Sequence, residues 1–214
     1  MLCAPLALFG LFYASAVTGL AIQKRAVDFF DPAQGGGSIF DNATFGGEPL
    51  NVIISGQSSP DAIGFDSKEC LGLHLGTPQT ANLGDGNGSL NQTIEFRQDF
   101  GNDFLGTCFE SLLGGNHFRV WRQNGPSASS GALFLAVSKE QDASTNHDLV
   151  DDGYNIGRNE LVAAAVGTKS HGGVTYNTVA KNITGLMPAG SDGVNHGIAV
   201  DGVITLLTVT IQDS

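Results

Sequence analysis

Charged side chains are scarce in this chain of 214 residues, at 14%, and its 10 Lys and Arg are outnumbered by 21 Asp and Glu. The formal charge of −11 repels long polyanions, which argues against nucleic acid as a partner. Cysteine is scarcer still. With three in the chain, a Cys-rich zinc site has too few ligands. There is no H-E-x-x-H helix, which removes the tight zinc spacing of a metalloprotease, and no G-x-S-x-G elbow, which disfavours a standard α/β-hydrolase. The glycine-rich piece Gly84-Asp85-Gly86-Asn87-Gly88 lacks the Lys-Ser/Thr of a phosphate loop and the spaced acids and terminal Glu of a calcium loop. It reads as a hairpin or Ω-type loop, and no cofactor is expected. After the first 21 residues no apolar run approaches the roughly 20 residues of a membrane span.

The 30 glycines have no G-x-y period and alternate with apolar segments, so they mark turns in a folded protein rather than collagen or a low-complexity tail. A hydrophobic content of 41%, with 13 Phe, is enough for one substantial core, and one domain is the expectation.

The front of the chain has the layout of a secretory leader. No charged residue occurs from Leu2 to Ala21, and the apolar run 6–13 is followed by Ala14, Ser15 and Ala16. Residues 1–21 read as a signal peptide, with cleavage after Ala16 or Ala21. Gln23-Lys24-Arg25 then closes a short pro-segment, 22–25, at a dibasic pair of the kind that Kex2-type secretory proteases cut. Cleavage before Ala26 leaves eight basic residues against 21 acidic ones, a formal charge of −13. Cys3 departs with the leader, so Cys70 and Cys108 remain as an even pair in an oxidising compartment and are expected to form a disulfide. Sequons at Asn42, Asn87, Asn91 and Asn182 have no proline in the middle position and mark candidate glycosylation sites.

Residues 26–48 read as an extended N-terminal arm, and 49–214 as the globular domain. The β-branched run in 51–56 predicts a buried strand, 58–63 a short helical turn, and 70–75 a second strand. In 91–97, Thr93, Glu95 and Arg97 alternate with Ile94 and Phe96, as in a half-buried strand. Residues 117–123 and 131–138 form two strands joined through Asn124-Gly125-Pro126. A helix spans 158–166, with Leu161, Ala164 and Ala165 on one side and Gly167 to end it. Strands at 174–179 and 203–211 close the fold. The class is α+β (mixed α/β), a central mixed sheet with few helices.

Side chains two apart on a strand share a face, so His117, Arg119 and Trp121 project together and Arg122 points away. His147, Asp151, Asp152 and Arg158 stand ahead of the helix. A neutral imidazole beside Asp151 or Asp152 is suited to general-base work or to a metal site, although the sequence assigns no metal. The preferred alternative is structural: Arg119 and Arg158 pair with acids, Trp121 packs, and His117 hydrogen-bonds in a polar seam. His171 and His196 are placed in loops.

The segments 49–56, 116–122 and 131–138, together with His147 through Arg158-Asn159-Glu160-Leu161, resemble a group of secreted fungal proteins over residues 46–209. They resemble more distantly the LssY C-terminal domain of bacteria, whose members show a strand ending in Gly, a His-x-Arg-x-Trp-like strand and a His-Asp-Asp-Arg region in that order. The resemblance implies an LssY-C-like domain at 49–214 and no particular activity. It also implies a full helix before Gly64-Phe65, where this chain has only 58–63. The leading expectation is a secreted, extracellular glycoprotein associated with a fungal cell surface or wall. A hydrolase or metal-assisted enzyme using His117, His147 and Asp151 or Asp152 is the first rival. A carbohydrate-binding module, taking cell-wall polysaccharide on an exposed row of Trp121, Tyr154 and Tyr176, is the second.

Overall fold

The computed structural model describes residues 27–59, 77–100, 102 and 106–212. Among the described residues, nine strands and two α-helices follow one another as β1 (Val52–Ile54), β2 (Thr80–Asn82), β3 (Ser89–Asn91), β4 (Ile94–Arg97), α1 (Gly106–Leu113), β5 (Gly115–Asn124), β6 (Ser129–Glu140), α2 (Gly153–Ala165), β7 (Gly167–His171), β8 (Val174–Ile183) and β9 (Ile204–Gln212). Seven of the strands make one sheet in the order β4-β5-β6-β1-β9-β8-β7, and β2 pairs with β3 in a separate hairpin. Only β1 and β9 run parallel, so the sheet is mixed and the class is α+β.

Strand β1 lies at the centre because Val52 and Ile53 carry branched apolar side chains on both faces, and neither is exposed at all. Strands β5 and β6 form a long antiparallel hairpin whose register shifts between Arg122 and Asn124. One sheet face carries Ile53, Trp121, Phe134, Ala136, Ile204 and Leu206, packed against Ile39, Leu50 and Val200 from the connecting segments. The opposite face carries Val52, Val120, Leu133, Leu135, Val137 and Leu207, and helix α2 covers it through Leu161, Val162 and Ala165.

Several expectations are corrected. Residues 27–48 include a short 3-10 helix at Pro32–Gly35 and are not an arm outside the domain, because Ile39 joins the core and Asp41 and Glu48 are buried. Gly35, Gly37 and Gly47 serve close packing. A Cβ on Gly35 would meet the Gly84 backbone oxygen at 1.9 Å, so the two segments touch backbone to backbone. Helix α2 begins at Gly153, five residues before the expected start, and Ala164 faces solvent while Val162 faces the sheet. Gly167 opens β7, a strand without apolar alternation, and His171 ends that strand rather than lying in a loop. The strand expected at 70–75, residues 60–63 of the short helical turn, and segments 1–21 and 22–25 lie outside the described residues.

Helix α2 meets β6 at Gly157, where a Cβ would stand 2.6 Å from the Ser138 carbonyl carbon. Alanine is the better helix former by about 1 kcal/mol, yet here it pushes the helix off the strand. Gly157→Ala is therefore expected to destabilise the protein by about 1–3 kcal/mol in denaturant melts.

Candidate functional site

Pairing of β4 with β5 sets Glu95 opposite Arg119 and Arg97 opposite His117, and pairing of β5 with β6 sets His117 opposite Ser138 and Gly115 opposite Glu140. Because alternate residues of a strand share a face, this register lines up Glu95, Arg97, His117, Arg119, Ser138 and Glu140 on one side of the sheet. Helix α1 adds Glu110, the turn after β6 adds His147, and the packed N-terminal stretch adds Asp41 and Glu48. The result is a buried charged seam, in which five carboxyl groups meet two guanidinium groups and two imidazoles.

The contacts run continuously along it. Arg119 Nη1 donates to Glu95 Oε2 at 2.6 Å and to Gln92 Oε1 at 2.8 Å, and its Nε lies 3.7 Å from Glu48 Oε2. His117 Nε2 is 2.9 Å from Glu95 Oε1, while Nδ1 is 3.3 Å from Glu140 Oε1 and 3.4 Å from Ser138 Oγ. Arg97 Nη1 donates to Glu110 Oε2 at 2.7 Å and to Glu140 Oε2 at 3.2 Å. His147 Nδ1 stands 3.7 Å from the same Glu140 oxygen, beyond hydrogen-bond reach. His117 is 1% exposed, so both of its ring nitrogens are closed in among carboxylates.

Burial and pairing compete over each acid. Burial pushes the Glu95 carboxyl up, but the hydrogen bond and charge of His117, together with Arg119, more than reverse this and hold it at about 2. For Asp41, burial and the adjacent Glu48 charge prevail over the Glu48 backbone N–H and Arg119, and the pKa is pushed up to about 8. Burial also raises Glu110, with Glu140 adding to it, against the bond and charge of Arg97. Arg97 itself is raised: burial works against its charge, and the bond to Glu110 and the charges of Glu110, Glu140 and Glu95 outweigh it.

Of the residues singled out from sequence, His117, Arg119 and His147 belong to this seam. Asp151 and Asp152 do not; both are exposed at the start of α2, where Asp152 accepts a hydrogen bond from Asn155. The chain turns sharply there, with Asn146, His147 and Asp152 all at positive φ, and the sequence neighbours of His147 are carried away from it. Arg158 makes a separate clamp. Its guanidinium pairs with both Asp201 oxygens at 2.7 and 2.8 Å and donates to the Val203 carbonyl, which ties α2 to the entry of β9. The bond from Arg158 is the first cause of a lowered Asp201 pKa. Trp121 and Tyr154 are 2% and 1% exposed and Tyr176 is half-buried, so these three form no flat exposed row. Trp121 instead lines a cavity of about 160 Å³ under the β2–β3 hairpin, with Leu83, Leu90 and Asn91. Asn42, Asn87, Asn91 and Asn182 are all exposed. Cys70 lies outside the described residues, and with it the expected pair with Cys108. His196 sits in a short turn, 3.8 Å from Asp148.

Sequence reasoning missed Asp41, Glu48, Glu110 and Glu140, and read Glu95 and Arg97 only as polar positions of a half-buried strand. One signal was present. The alternation of Glu95 and Arg97 with Ile94 and Phe96 marks a polar strand face, and it is this face that α1 and the N-terminal stretch cover. Among the described residues, Glu110, Glu140 and His147 are a group suited to a metal ion, each presenting one donor atom within 4.8 Å of the others. No family model, curated protein or solved structure matches this chain.

The shifts of Glu95 and Asp41 act on stability in opposite directions as pH rises. Glu95, held below its ordinary value, contributes on the order of 3 kcal/mol that is present above about pH 4.5 and lost as pH falls toward 2. Asp41, held above its ordinary value, favours the folded state at low pH, and that advantage is lost as pH rises from about 4 through 8. Thermal melts of chelator-treated protein between about pH 3 and 9 should therefore peak near pH 4–5. Asp41→Asn should flatten the decline on the neutral side.

Proposed function

We propose that this is an exported glycoprotein that acts outside the cell, at a cell surface or wall, as a binding protein rather than a hydrolase. The observation that carries the proposal is the exposure of all four sequon asparagines, Asn42, Asn87, Asn91 and Asn182, on a chain headed by an uncharged apolar leader. The resemblance of 46–209 to secreted fungal proteins supports the same compartment, and the acidic charge keeps the protein off polyanionic partners. Binding is favoured over general-base catalysis because a base must reach the proton it removes, and His117 is closed in between Glu95 and Glu140. Cell-wall polysaccharide remains the partner class of this compartment. Stacking on Trp121 and Tyr154 is not the means, since both are buried.

A metal-assisted activity is the second reading, and the specific observation favouring it is the convergence of Glu110, Glu140 and His147. Asp151 and Asp152 drop out of it.

Peptide mass spectrometry of the protein produced from its own leader in a secreting yeast tests the main reading. The expected product is in the medium, starts at Ala26, carries glycan on at least two of the four asparagines, and yields a Cys70–Cys108 linked peptide. Recovery of a sugar-free chain inside the cell, with Met1 and residues 2–25 attached, contradicts it.

A further inference from the structure

The seam is unfinished at one end. Glu110 is fully buried, and while its Oε2 is held by Arg97 at 2.7 Å, its Oε1 has no hydrogen-bond partner among the described residues. His147 Nδ1 is likewise buried and unpartnered, and the Glu140 oxygen nearest to it is 3.7 Å away. Buried polar atoms are paired in the great majority of cases, and leaving a carboxylate oxygen unpaired costs more than leaving a neutral group. Two such orphans in one three-residue cluster, with donor atoms within 4.8 Å of one another, describe a site that wants a cation between them.

We propose that Glu110, Glu140 and His147 bind a divalent first-row transition ion, of which Zn²⁺ is the representative. An imidazole with two carboxylates is a donor set for zinc or manganese, whereas calcium selects oxygen ligands alone. The ion pairs agree: among the described residues, Glu48, Glu95, Glu110 and Glu140 face Arg97 and Arg119 as permanent cations. Arg97 occupies the Glu110 Oε2 side and leaves Oε1 to the ion. His117 acts as a positioning residue, since its Nδ1 lies 3.3 Å from Glu140 Oε1 and holds that carboxylate from behind. His147 is the approach to solvent, with its side chain 26% exposed. Three protein ligands with one at the surface leave room for water or an exchangeable ligand on the ion. The inference rests on the side-chain cluster alone and stands wherever in or out of the cell the protein acts.

The test uses the full chain as its host produces it, stripped with a chelator and titrated with Zn²⁺ against a chromogenic competitor. One ion per chain is expected, with Ca²⁺ in equal concentration failing to displace it. His147→Ala removes a partly exposed ligand and should weaken binding by at least about tenfold while the metal-free melting temperature stays put. Glu110→Gln should also weaken binding at least about tenfold, here with a lowered metal-free melting temperature because it neutralises the buried partner of Arg97, and His171→Ala and His196→Ala should leave the affinity unchanged. No binding by the wild type, binding undiminished in His147→Ala, or loss of binding in the His171 or His196 variant would each overturn the proposal.

Discussion

A carboxylate taken out of water must find a cation or give up its charge, and this protein buries five carboxyl groups along one face of one sheet. That constraint orders much of the rest. Arg119 answers Glu95 and Glu48, Arg97 answers Glu110 and Glu140, and His117 spans Glu95 and Glu140. Removing one partner from such a buried pair is costly, on the order of 3–5 kcal/mol, because the other charge stays behind. The seam therefore demands accurate register between β4, β5 and β6, since a slip of one residue would send every charged side chain to the opposite, apolar face.

The two hydrophobic clusters supply that accuracy. Beside the seam, Phe134, Ile53 and Trp121 fix the same sheet face, and behind it Val120, Leu135 and Val137 meet α2. Asn51 links the parts. Its side-chain amide donates to the carbonyls of Val137 and Tyr154, and its oxygen accepts from the Val137 N–H, so the start of β1 is fastened to both β6 and α2. The Arg158 clamp on Asp201 does the same for the far side of the helix.

Strands that bury apolar side chains at period two were legible from sequence: the central β1, the β5–β6 hairpin and β9 stand within a few residues of their expected limits. Strand β7 was not, because Gly-Thr-Lys-Ser-His carries no apolar alternation and is held only by pairing with β8. The packed character of 27–48 was hidden for a related reason, since glycine reads as flexibility whether it serves a loop or a close contact. In the site, strand parity correctly grouped His117 with Arg119, and the structural roles expected for Arg119, Arg158 and Trp121 are those found. The carboxyl cluster was invisible because its members come from separate segments of the chain, and only the fold brings Asp41, Glu95, Glu110 and Glu140 together. Asp151 and Asp152 were chosen for nearness to His147 in the chain. The left-handed turn at Asn146 and His147 makes that nearness misleading.

The central claim is that the charged seam is completed by a cation. Anomalous diffraction at the zinc edge, from crystals of the Zn²⁺-loaded protein, tests it most directly. The account predicts a single strong peak about 2.0–2.2 Å from Glu110 Oε1, a Glu140 oxygen and His147 Nδ1. A map with no peak there, and with those atoms joined directly or through an ordinary water, would contradict it.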